Sequence, residues 1–167
     1  PRKPREPLRG WPSASPSDVF PCAIRIILLQ RSLHLAQSRW ADAQSELQAY
    51  LQLEPGDAIA HHEMALLQSR LGKSGDARRH FESALRLNPG DSRIHFQFAA
   101  FLAPRDPASA ISTYRDGLRR WPDNRFASNN LAWLLATCVD ENIRRPQEAI
   151  ELAERTAGLT TRKSAAA

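Results

Sequence analysis

Residues Ala58–Asp91 read AIAHHEMALLQSRLGKSGDARRHFESALRLNPGD. Two amphipathic stretches flank a Gly-containing turn, and Asn88-Pro89-Gly90-Asp91 closes the unit. The pattern returns on both sides. Ala43, Ala77 and Ala110 lie 34 and 33 residues apart, and so do Pro55, Pro89 and Pro122. A fixed period of this length marks stacked helical units, each too small to bury its apolar face alone. The chain therefore reads as all-α, a helical repeat array.

Within the unit, Ala77, Phe81 and Ala84 fall at i, i+4 and i+7, on one face of the second helix. Small Ala77 lets the partner helix approach, and Phe81 fills the space beside it. Met64, Ala65, Leu67 and Leu71 form the facing stripe of the first helix. Gly72 ends that helix, because glycine tolerates the left-handed conformation at a helix C-terminus. Pro89 stops the second helix, and Asp91 is placed to cap the next.

On these residues the unit resembles a tetratricopeptide repeat. Met64 and Ala65 match the family's Leu-Gly pair, Ala77 and Ala84 its small residues, Phe81 its aromatic and Pro89 its closing proline. His61 and Gln68 stand where the family has Trp and Tyr. The resemblance implies a right-handed α-solenoid of about four helix-turn-helix units over residues 22–158. The repeats fall at about 22–57, 58–91, 92–124 and 125–158.

Repeat one carries Ala43, Leu47 and Tyr50 in its second helix. Repeat three carries Phe98 and Ala99, then Ala110, Tyr114 and Gly117, with Asp106-Pro107 as N-cap and first helical residue. Repeat four has Leu131 and Ala132, a long turn through VDENIRRP, then Ala149, with Ala153 where the aromatic normally stands. Residues 1–21 hold six prolines and read as a disordered Pro/Arg-rich leader. Residues 159–167 read as a linker and the start of a further helix. With Pro1 at the start, they point to a fragment of a longer chain.

Composition removes several function classes. The net charge is +5, but the first ten residues carry four basic groups and one acid, leaving only +2 for the other 157. The array is nearly neutral and has no basic stripe, so nucleic acid is not an expected partner. No stretch approaches the ~18 apolar residues of a membrane span. Cys22 and Cys138 are isolated thiols, which favours a reducing compartment such as the cytoplasm.

No catalytic constellation is present. His61-His62-Glu63 lacks the HExxH spacing, and adjacent residues on a helix point about 100° apart. The Gly72-Lys73-Ser74 run lacks the first glycine of a phosphate-binding loop and sits between helices. We expect no catalysis, no metal and no cofactor.

The resemblance further implies that first helices line a concave groove. Its groove-facing positions here include His62, Glu63 and Arg70 in repeat two, with Arg93, Phe96 and Gln97 in repeat three. Repeat four contributes Phe126, Asn129, Asn130 and Trp133. Amides can pair with a peptide backbone, and the aromatics offer flat apolar area of the kind that forms hot spots. The expected activity is that of a scaffold binding a peptide or protein. Alternatively, Asn129 and Asn130 bond neighbouring turns only. The family's carboxylate clamp is echoed only by Asn130 and the arginines. The asparagine ladder of O-GlcNAc transferase repeats is absent, since Leu29, Glu63, Gln97 and Asn130 hold its position. Two further expectations are an accessory region of a larger enzyme, such as a glycosyltransferase or kinase, and self-association through an uncapped C-terminal repeat.

Overall fold

The structure, a computed structural model, describes residues 40–165, and the side chains of residues 40–158. The Pro/Arg-rich leader and the first helix of repeat one lie outside the described residues. The chain divides into two compact units, Pro1–Pro55 and Gly56–Ala167. In the first, α1 (Trp40–Leu53) buries Ala43, Leu47 and Tyr50 at i, i+4 and i+7.

The second unit contains six helices: α2 (Ala58–Arg70), α3 (Ser74–Leu87), α4 (Ser92–Leu102), α5 (Pro107–Arg120), α6 (Arg125–Thr137) and α7 (Pro146–Ala165). They pack in sequence pairs, α2 on α3, α4 on α5 and α6 on α7, and α3 on α4 and α5 on α6 join one pair to the next. Among the described residues all regular structure is helical.

Helix starts are set by carboxylates and amides that satisfy the otherwise unpaired first N–H groups. Asp57 accepts from the Ile59 and Ala60 amides at 2.8 and 3.1 Å. Asp91 accepts from Arg93 and Ile94 at 2.8 and 3.3 Å. Asn124 accepts from Ala127 at 2.9 Å. These three caps share the repeat's spacing. Asp106 caps α5 through the Ser109 amide at 3.1 Å, with Pro107 as first helical residue. Gly72 has φ +75°. Its amide bonds the Ser69 carbonyl and the next amide, of Lys73, bonds the Gln68 carbonyl, which closes α2 in a Schellman turn.

The core repeats a small–aromatic–small triplet. Ala77, Phe81 and Ala84 are fully buried in α3, and Ala110, Tyr114 and Gly117 are buried in α5. Phe81 ties repeat two to repeat three, its ring centroid 5.4 Å from Phe98 and 5.3 Å from Phe101. At Gly117 the space for a side chain is taken, since a Cβ there would lie 2.4 Å from the Phe96 ring. In α7 only Ala149 of this triplet is buried, and Ala153 is exposed.

Arginines stitch successive repeats. Arg120 donates to the Pro89 carbonyl at 3.4 Å, and Arg155 donates to the Pro122 carbonyl at 2.8 Å. Arg115 meets Glu148 through two bonds, at 3.1 and 2.6 Å. One difference from the sequence expectation concerns the C-terminus. Helix α7 continues through Ala165, so residues 159–165 extend it rather than forming a linker. No proline interrupts this stretch, and Gly158 alone costs a helix only about 1 kcal/mol.

Candidate binding groove

The exposed faces of α2, α4 and α6 do not behave as one surface. Their N-terminal halves are largely knitted together by packing. His62 is 3% exposed, and its Nε2 bonds the Gln97 side-chain oxygen on α4. Burial holds the His62 pKa below the usual histidine value, although the Gln97 bond opposes this. Phe96 is 8% exposed, stacked on Tyr114 and edge-on to Trp121, with centroids 6.3 and 5.8 Å away. Asn130 donates to the Tyr114 hydroxyl at 3.3 Å. Burial pushes the Tyr114 phenol up, so it stays neutral and receives that bond.

This arrangement corrects two expectations. His62 and Phe96 are placed by their register in the groove, yet the structure buries both. The physical cause for Phe96 is Gly117, whose missing side chain admits the ring between α4 and α5. For His62 it is the close approach of α2 to α4, which lets the imidazole reach Gln97.

The remaining candidates keep more access. Arg70, Arg93, Phe126, Asn129, Asn130 and Trp133 are exposed, while Glu63 and Gln97 are half-buried. Arg93 pairs with the cap Asp91 at 3.5 Å. Phe126 is 82% exposed and Trp133 is 65% exposed, both large apolar groups on α6.

The C-terminal halves open into an apolar groove of about 730 Å³. Its floor is small because α4 offers Ala100 and Ala103 there, followed by Pro104, with Pro107 opening α5. The opposite wall is Trp133, Leu134 and Thr137 of α6. Val139 and Ile143 of the α6–α7 connection close one edge. A volume of a few hundred Å³ with apolar walls is typical of ligand pockets.

The connection keeps its shape through its own bonds. Asp140 accepts from the Asn142 backbone and side-chain nitrogens at 2.9 and 3.1 Å. Arg144 Nε donates to the Cys138 carbonyl at 3.0 Å, and the Arg145 amide donates to the Leu135 carbonyl at 2.9 Å. Val139 is left 92% exposed at the tip. The sequence marks this segment only as an overlong turn. The extra length was the available signal that Val139, Asp140 and Ile143 take part in a surface.

A second histidine contact lies outside the groove. His61 and His80 face each other with Nδ1 atoms 3.0 Å apart. Burial, then the neighbouring His61, hold the His80 pKa below the ordinary value. Among the described residues no group of three or more His, Cys, Asp or Glu side chains is arranged for a metal. No described helix is long and apolar enough to cross a membrane.

The helix pairs, their caps and the small–aromatic–small cores define a helical-repeat protein. A family model described as tetratricopeptide repeat matches residues 34–100, and the chain is a tetratricopeptide-repeat protein. No curated protein matches it. Among solved structures, a crystal structure of MamA superposes with a TM-score of 0.74 at 14% identity, covering 87% of this chain and 83% of that one. YrrB, described as a TPR protein with an unusual peptide-binding site, gives 0.67 at 17% identity, with 82% and 69% covered. The Thermobaculum terrenum O-GlcNAc transferase gives 0.64 at 22% identity, with 81% of this chain covered and only 26% of the transferase. At these identities the likeness concerns the fold.

Proposed function

We propose that this chain is a non-catalytic scaffold whose α4–α6 face holds an extended peptide or a segment of a partner protein. One observation carries this. In an otherwise well-packed repeat stack, a large aromatic, Trp133, stands 65% exposed over an apolar groove. Exposed aromatics in concave apolar settings are where binding energy concentrates. Asn129, Asn130, Gln97 and Arg93 extend the surface with amide and guanidinium donors, and Phe126 adds a second aromatic. Glu63 and Arg70 continue it onto α2. YrrB supports the general mode, being a TPR protein with a peptide-binding site.

The test is affinity capture from native extract with the chain and with an Asn130→Ala/Trp133→Ala double variant. A partner recovered by the parent and lost by a variant that melts normally supports the proposal. Equal recovery by both forms removes the groove from the account.

Two other settings fit this scaffold. The repeat face of a larger enzyme is one, since the chain spans about a quarter of the transferase it resembles in fold. Self-association through α7 is the other, since Ile150 is 51% exposed and Ala153 is exposed too. A rise in scattering mass with concentration, abolished by Ile150→Glu, would identify that contact.

A further inference from the structure

The groove's hydrogen-bonding inventory narrows what it takes. Its walls are almost wholly side-chain hydrocarbon. The main-chain acceptors at the α6 edge are already used. The Leu134 carbonyl is bonded by the Cys138 amide and the Cys138 carbonyl by Arg144. The Asp140 carbonyl is bonded by the Ile143 and Arg144 amides. A peptide N–H laid against this wall would lose water and gain no partner, at a cost of about 1–3 kcal/mol for each group. Proline is the residue that avoids this penalty, because it has no N–H.

Trp133 supplies the complementary feature. Its indole N–H meets no acceptor among the described residues, and its ring is open to solvent. An exposed indole offers a flat face for a pyrrolidine ring and one donor for a peptide carbonyl. A polyproline-II strand presents carbonyls outward with no internal hydrogen bonds. Aromatic-lined grooves that hold such strands work by this combination.

Charge gives the remaining element. Among the residues lining the groove, Asp140 is the charged one. It stands at the rim beside exposed Glu141, whereas Arg145 lines the other side of the same connection, with Ala108 and Arg115. The groove edge is therefore acidic.

We infer that the groove between α4 and α6 holds a proline-containing extended segment with a flanking lysine or arginine, its proline against Trp133 and its cation at Asp140. This rests on the scaffold proposal above and specifies its partner class.

The probe is a labelled synthetic peptide of Pro-Pro-Arg triplets. It is compared with Ala-Ala-Arg of equal length and charge and with Pro-Pro-Glu, by fluorescence anisotropy. The expected order is Pro-Pro-Arg tightest, with Ala-Ala-Arg and Pro-Pro-Glu each at least about 5-fold weaker, the equivalent of one hydrogen bond or one exposed ion pair. Trp133→Phe keeps an aromatic face and removes the N–H, and should weaken Pro-Pro-Arg about 3–10-fold. Asp140→Asn keeps the oxygen that accepts from Asn142 and should flatten the salt dependence.

Equal affinity for Pro-Pro-Arg and Ala-Ala-Arg, or no binding of Pro-Pro-Arg, overturns the inference. If proline peptides fail while a native partner is still captured in a Trp133-dependent way, this inference falls alone. If capture is also indifferent to Trp133, the scaffold proposal falls with it.

Discussion

The N-terminal and C-terminal halves of α4 and α6 occupy equivalent places in the repeat, yet they serve different ends. In the N-terminal halves, Phe96 is buried on Tyr114, and Asn130 bonds the Tyr114 hydroxyl. In the C-terminal halves, Ala100 and Ala103 leave room that no neighbour fills, and Trp133 overlooks it. The difference lies in the size of the facing residue. Where the opposite helix has Gly117, a large ring moves inward. Where α4 itself carries alanine, the space stays open to solvent. Groove-facing register alone therefore does not make a binding residue.

The comparison can be broken or sharpened by substitution. The largest effect should come from the core that both halves share. Phe81→Ala removes the ring joining repeats two and three and should cost about 3–5 kcal/mol, read by urea denaturation. An unchanged midpoint would contradict the packing register. Next is Gly117→Ala, which puts a methyl group into the Phe96 ring. Overpacking of this kind costs about 1–3 kcal/mol, and pairing it with Phe96→Leu should recover part of the loss. Asp91→Ala should cost about 1 kcal/mol as a lost helix cap. By contrast, Trp133→Ala should change stability by no more than about 0.5 kcal/mol, as an exposed position. A large drop in melting temperature there would mean that Trp133 is structural and the two halves are alike.

A smaller effect concerns pH. His62 and His80 have folded-state pKa values below the ordinary 6.5. On acidification the unfolded chain binds these protons first, so stability is full above about pH 6.5 and falls as pH drops toward the folded values. Melting temperature followed between about pH 7.5 and 5 should fall, and His80→Gln should reduce the slope. The same slope in the variant would remove the His61–His80 pair from the explanation.

Much of this architecture is legible in residue types whose local physics is decisive. Asp57, Asp91 and Asp106 read as caps because short carboxylates reach free amides at helix starts. Gly72 reads as a helix stop because its backbone must turn left-handed. Ala77, Phe81 and Ala84 read as core from their spacing. The groove was less legible, since it depends on tertiary neighbours. Burial of Phe96 depends on Gly117, more than 20 residues away in sequence. The brace of the 138–145 connection uses backbone carbonyls that any residue possesses. Only Asp140 and Asn142 carry a local signal there, as side chains prone to bond their own turn.

Site-specific photocrosslinking tests the central claim most directly. A benzoylphenylalanine at Val139, 92% exposed on the groove edge, is compared with one at Ser112, exposed on α5 and outside the groove lining. In native extract the Val139 position should crosslink a partner, and Trp133→Ala should abolish that product while Ser112 gives none. A partner joined through Ser112 and absent at Val139 would contradict the account and move binding to the other helices of the stack.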